Sequence, residues 1–257
     1  MANLRDSLVN WLREQVETAG ARGLVVGLSG GVDSAVVVRL SQLAMPDSTL
    51  GVLLPCQSDP QDGRDARLVA ERFDIPTITV SLEPAYDALV KSAEAALSHL
   101  PSDASDAPPK TDDLRAQVPT ANLKPRLRMT TLYLVANQLN YLVAGTGNRS
   151  ELTIGYFTKY GDGGVDLLPL GSLVKSQVWA LARDLDIPTP VITKSPSAGL
   201  WLGQTDEAEM GFTYADLEKF LTDGSRAVAR DVAERIERLV RASEHKRKLP
   251  PIFSPDP

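Results

Sequence analysis

The sequence predicts an α/β protein with a doubly wound parallel sheet and helices on both of its faces. Three observations predict it. Short apolar, β-branched runs alternate with helix-like patterns along the chain. Those runs read as strands buried on both sides, as a covered parallel sheet requires. With 43% hydrophobic residues among 257, the chain can bury one sizeable core, so a single domain spanning 1–257 is expected.

The elements follow in order. Leu4, Leu8, Trp11, Leu12 and Val16 share one face of an opening helix, whose scattered charges do not fit a signal peptide. Strands are predicted at 24–28, 50–54, 75–80 and 141–144, and helices at 35–43, 66–73, 86–100 and 114–139. Within the last of these helices Pro125 disfavours helical geometry for Lys124, so helix is expected to begin at the proline itself. Residues 101–113, PSDASDAPPKTDD, lack a large apolar anchor and read as a mobile connector. Leu173, Val174, Val178, Leu181 and Leu185 define the buried stripe of another helix. Residues 189–206 are loop-rich, carry Trp201 and Leu202, and suit an active-site lid. Helical patterns return at 214–221 and 230–242.

Between the first strand and its helix lies GLSGGVDS, comprising Gly27, Leu28, Ser29, Gly30, Gly31, Val32, Asp33 and Ser34. Paired glycines let backbone approach an anion, Ser29 and Ser34 add hydroxyl donors, and a helix N-terminus aims N–H groups at the guest. Nucleotide phosphate is the expected guest. The lysine of the commoner phosphate loop is absent, and Asp33 beside phosphate calls for a bridging cation, which Mg2+ suits. Residues 145–151 leave the fourth predicted strand and face the same crevice.

Composition narrows the classes. A net charge of −6 argues against nucleic acid as partner. The lone cysteine, Cys56, excludes intrachain disulfides and Cys-x-x-Cys sites and points to the cytoplasm. No apolar run is long enough to span a membrane. His99 and His245 are the two histidines, and neither sits in a recognisable nucleophile–base pattern.

SGGVDS resembles the pyrophosphate loop of the ATP pyrophosphatases, which implies cleavage of ATP between its α and β phosphates and a Rossmann-like sheet of the adenine nucleotide alpha hydrolase type. From Asn122 onward, NLKPRLRM, GTGNRSELTIGYFTKYGDGGVDLLPL, SLVKSQVW, KSPSAGLWLGQTDEAEMGFTY and SEHKR resemble the NAD synthetase family. The resemblance implies that ATP, deamido-NAD (nicotinic acid adenine dinucleotide) and ammonia react to give NAD, AMP and pyrophosphate. It also implies tight homodimers. Residue by residue it implies ATP contacts at the loop, Thr146, Lys175 and Ser197, and Mg2+ ligation by Asp33 and Glu151. Deamido-NAD contacts are implied at Arg126, Lys159, Asp166, His245 and Lys246, with Pro125 where relatives usually carry alanine and Ser197 where many carry threonine. Catalysis is expected from Asp33 and Lys175, with Asp166 accepting a proton from the ammonia nitrogen. Glutamine-dependent relatives carry an amidase domain for which this chain has no room, so direct use of ammonia is expected. The rivals are a GMP synthetase-like adenylating amidotransferase and a non-catalytic adenine-nucleotide sensor.

Overall fold

The computed structural model describes residues 2–100, 114–197 and 205–253. The connector at 101–113 lies outside them, as does the middle of the expected lid, 198–204, with Trp201 and Leu202.

Four parallel strands form one sheet in the order β3-β2-β1-β4: β1 (Gly23–Gly27), β2 (Thr49–Leu53), β3 (Thr77–Thr79) and β4 (Tyr141–Val143). The chain steps outward from β1 to β3 and then crosses to the other side of β1. That reversal parts the carboxyl ends of β1 and β4 and opens a crevice between them. A single parallel bridge, Ala144 to Leu167, extends the sheet beyond β4.

Successive residues of β1 point to opposite faces, and both faces are covered. Leu24 and Val26 join one core with α1 (Ala2–Thr18), α2 (Val32–Ala44) and α8 (Lys175–Asp184), through Leu12, Val36, Leu40 and Leu181. Val25 joins a second core beneath α4 (Glu83–Leu97) and α6 (Leu123–Leu139), with Val52, Tyr86, Ala136 and Val143. A third, smaller core unites α7 (Arg149–Ile154), α10 (Asp206–Met210), α11 (Tyr214–Asp223) and α12 (Arg230–Ala242) through Ile154, Met210, Tyr214, Leu217 and Ile236.

Several expectations need correction. The predicted helix 114–139 is two helices, α5 (Leu114–Ala121) and α6, parted at Asn122. Pro125 is the third residue of α6 rather than its start, and Lys124 is helical; first-turn N–H groups have no intrahelical acceptor, so a proline there removes nothing. The helix predicted at 66–73 is α3 (Pro60–Arg72), starting six residues earlier. Its first turn is polar, so periodicity missed it, but Asp59 caps Gln61 N–H at 2.8 Å and Pro60 takes the first helical position. The strand predicted at 75–80 shrinks to β3, because Ile75 N–H still bonds Ala70 O at the end of α3. The lid region contains α9 (Thr189–Thr193) and runs into α10.

Candidate active site

The glycine-rich loop follows β1 and turns on Gly30, whose φ is +82°. A Cβ at Gly30 would lie 2.3 Å from the Asp62 carbonyl oxygen, so α3 packs flush against the loop and no side chain fits. Ser34 is buried and donates to Gly31 O at 2.9 Å, and Ser29 Oγ lies 3.0 Å from Ser34 Oγ. Both hydroxyls therefore sit within the loop expected to cradle phosphate. The first-turn N–H groups of α2 remain, and Gly31, its N-cap, makes no side-chain cap bond.

Asp33 enters from the first turn of α2 and Glu151 from that of α7. Asn148 joins them: its Nδ2 donates to Asp33 Oδ1 at 3.0 Å, and its Oδ1 accepts from Glu151 N–H at 3.1 Å. Glu151 Oε2 in turn accepts from Asn148 N–H at 3.2 Å, closing a capping box. Lys175, the first residue of α8, is 2% exposed and places Nζ 2.5 Å from Asp33 Oδ2 and 3.8 Å from Glu151 Oε1. The ring of Tyr214 lies 5.1 Å from that ammonium; its hydroxyl donates to Asp206 Oδ2 at 2.8 Å and stands 3.5 Å from Glu151 Oε1.

These contacts set the charges. Burial and the neighbouring Asp33 carboxylate push Glu151 well above its ordinary 4.5, against the pull of Lys175. Burial alone would lower Lys175, yet Asp33 and Glu151 outweigh it and hold the ammonium charged above its usual range. Asp206 is raised by burial although the Tyr214 hydroxyl opposes that shift. Two acids and one lysine thus converge at the strand switch, with a third acid one hydroxyl away. Among the described residues no cluster of three or more His, Cys, Asp or Glu side chains could hold a metal. Two carboxylates supply hard oxygen ligands, which suit Mg2+ better than a softer ion.

The remaining expected residues fall into two groups. Lys159 Nζ donates to His245 O at 2.6 Å, and Lys246 Nζ donates to Gly155 O and Phe157 O at 2.8 and 2.6 Å. Arg126 Nη2 approaches Lys159 O at 3.5 Å. The loop after α7 therefore gathers Arg126, Lys159, His245 and Lys246, with Lys246 serving as a staple for its backbone. Asp166 stands apart from that group. Its Oδ1 accepts from the Tyr133 hydroxyl at 2.9 Å and its Oδ2 from Val143 N–H at 2.8 Å, fixing it to α6 and β4. No hairpin surrounds it; residues 155–170 form turns with the single bridge at Leu167. Thr146 follows β4 half-buried, and Ser197 stands at the end of a described stretch.

Asn148, Asp206 and Tyr214 were not singled out from the sequence. The N-R-S-E spacing of a capping box could have flagged Asn148. Nothing local marks Asp206 or Tyr214, whose roles depend on α10 and α11 folding back over α7.

A family model described as NAD synthase matches residues 4–250. An NH(3)-dependent NAD(+) synthetase from Carboxydothermus hydrogenoformans is 51% identical over 247 residues, covering 96% of this chain and 95% of its own. Among solved structures, NMN synthetase from Francisella tularensis matches with a TM-score of 0.87 at 40% identity, covering 99% of this chain and 98% of its own. The NH3-dependent NAD synthetase from Campylobacter jejuni, solved with nitrate, gives 0.77 at 26% identity over 98% and 99%.

Proposed function

The chain belongs to the NAD synthase family, and we propose that the crevice between β1 and β4 carries out ammonia-dependent, ATP-driven amidation of deamido-NAD to NAD. The observation that carries this reading is the burial of Lys175 between Asp33 and Glu151 at the strand switch. A buried ammonium flanked by two acids is costly to build, and a triphosphate chain is the guest it suits.

ATP rests its phosphates on the N-terminus of α2, with Thr146 and Ser197 as further contacts. The nicotinate carboxylate of deamido-NAD attacks the α-phosphorus; the bond to the bridging oxygen breaks, leaving an acyl adenylate and pyrophosphate. Lys175 stabilises the charge that gathers on the departing pyrophosphate. Asp33 and Glu151 would hold Mg2+, which when bound offsets repulsion between the anionic carboxylate and the triphosphate. Ammonium gives up a proton to Asp166, the ammonia so formed attacks the activated carbonyl, AMP leaves, and the second proton passes to water. Asp166 is the proposed proton acceptor, since each of its oxygens keeps a lone pair after serving Tyr133 and Val143. Arg126, Lys159 and His245 contact deamido-NAD, and Lys246 fixes the loop that presents them.

A single domain over 1–257 working as a homodimer in the cytoplasm completes the proposal. Leu89, Leu97 and Leu134 on α4 and α6 are 49%, 62% and 60% exposed, and apolar exposure on neighbouring helices suits a subunit contact. Cys56 is buried and unpaired, which suits a reducing compartment. The likeness to an NMN synthetase favours one second reading, in which the mononucleotide bearing the same nicotinate carboxylate is the acceptor. The deciding experiment incubates the protein with ATP, Mg2+, ammonium and either acceptor, and follows NAD or NMN, AMP and pyrophosphate. Formation of ADP and orthophosphate in place of AMP and pyrophosphate would overturn both readings.

A further inference from the structure

Lys194, just past α9, is drawn into an ion triad on the first turns of α3. Its Nζ lies 2.7 Å from Asp62 Oδ1 and 2.7 Å from Asp65 Oδ2. Asp65 is buried, and its other oxygen accepts from Gln61 Nε2 at 2.6 Å, so the carboxylate has a fixed aim. Asp62 is the residue whose carbonyl closes against Gly30 of the phosphate loop. One lysine thereby ties the chain leaving α9 to the turn of helix that braces the loop.

The same chain is tied a second time, to the other side of the crevice. Pro196 O accepts from Asp206 N–H at 3.1 Å, and Asp206 accepts from the Tyr214 hydroxyl beside Lys175 and Glu151. From Lys194 a continuous series of contacts thus leads from the loop braced by Asp62 to the acids across the crevice. Two residues after Lys194 this link begins, and three residues after it stands Ser197.

We infer that Lys194 is a positioning residue for the nucleotide: its ion pairs with Asp62 and Asp65 set the spacing between the phosphate loop and the stretch Lys194 to Ser197, which is itself tied to Asp206. The inference rests on the reading of this crevice as the ATP site. Lys194 touches no reacting atom in that reading. Its loss weakens nucleotide binding, because the loop and Ser197 lose their common support, and leaves the charged groups of the chemical step in place.

The test uses the full chain with Lys194→Gln, Asp65→Asn and Lys194→Arg, measuring steady-state kinetics, ATP affinity by calorimetry, and melting temperature. Lys194→Gln and Asp65→Asn should each weaken ATP affinity and raise KM for ATP about tenfold, with kcat and KM for deamido-NAD within about twofold. Lys194→Arg, whose guanidinium can span both carboxylates, should bring ATP affinity back to within about threefold of the unaltered protein. A melting temperature that falls while ATP affinity stays unchanged would make the triad merely structural and overturn the inference. A loss of affinity with Asp65→Asn but not with Lys194→Gln would overturn it equally, since the lysine substitution breaks both ion pairs and the aspartate substitution only one. If the unaltered protein binds ATP but forms no AMP, the proposed reaction fails instead, and the calorimetric comparison still decides the role of Lys194.

Discussion

Lys175 holds the site together electrostatically, and its substitution has two separable consequences. Removing one partner of a buried pair costs about 3–5 kcal/mol, because the acids left behind face each other without a counter-charge. Lys175→Ala should therefore melt at a lower temperature, and Lys175→Ala combined with Glu151→Gln should recover part of that loss. Lys175→Ala and Asp33→Asn should each cut NAD formation by more than ~100-fold, as loss of preorganised electrostatics does; near-normal turnover would remove them from the mechanism. The raised Glu151 gives a pH signature. Between its ordinary 4.5 and its elevated folded value, the native state keeps a proton that the unfolded chain has released. Ligand-free stability should thus fall as pH rises through that window, and Glu151→Gln should flatten the fall in a series of melting curves. Asp166→Asn should slow amidation by ~100-fold with ammonium but less with hydroxylamine, which needs no base near neutrality. Equal losses with both nucleophiles would leave Asp166 a substrate contact only. At this scale Asp33, Glu151 and Lys175 were legible through motif resemblance, whereas their mutual contacts were not. A lysine at a helix start looks solvated until a neighbouring helix buries it.

The helices that carry these side chains are short and are fixed by their ends. Helix α7 has six residues, too few to persist alone, and depends on its Asn148 capping box and on Gly155 at its C-terminus. Gly155 has φ +70°, and a Cβ there would meet Ser243 Cβ at 2.0 Å where α12 ends. Gly155→Ala should cost more than ~1 kcal/mol in denaturant unfolding and reduce activity by displacing Glu151. A neutral substitution would contradict that packing. Elements with strong internal pattern were readable: α12 (Arg230–Ala242) matches its predicted span, and the stripe from Leu173 to Leu185 is buried throughout. Elements decided by their ends were less so. The start of α3 depends on Asp59 and Pro60 rather than on periodicity, and the separation of α5 from α6 at Asn122 is invisible in a continuous helical pattern. Asn122 accepts a hydrogen bond from Thr158, 36 residues away, a contact that only the folded chain supplies.

Across the whole molecule, strand order creates the crevice, and the outer faces carry the exposed leucines on which the proposed dimer rests. The exposed leucines of α4 and α6 belong to helices that cover the same face of the sheet, over the core of Val25, Val52 and Tyr86. If the proposed homodimer uses this face, Leu134→Lys should convert it to monomer in sedimentation velocity; an unchanged dimer would place the interface elsewhere. The sequence by itself determined the α/β class, because local spacing and residue chemistry act within a few positions of one another; the loop after β1 and the set Asp33, Glu151 and Lys175 were reached through family resemblance. Only the tertiary structure decided that Asp33, Asn148, Glu151, Lys175, Asp206 and Tyr214 come together at one crevice. That outcome depends on which helices pack across the sheet and at what distance, a balance of burial and charge pairing among residues more than a hundred positions apart.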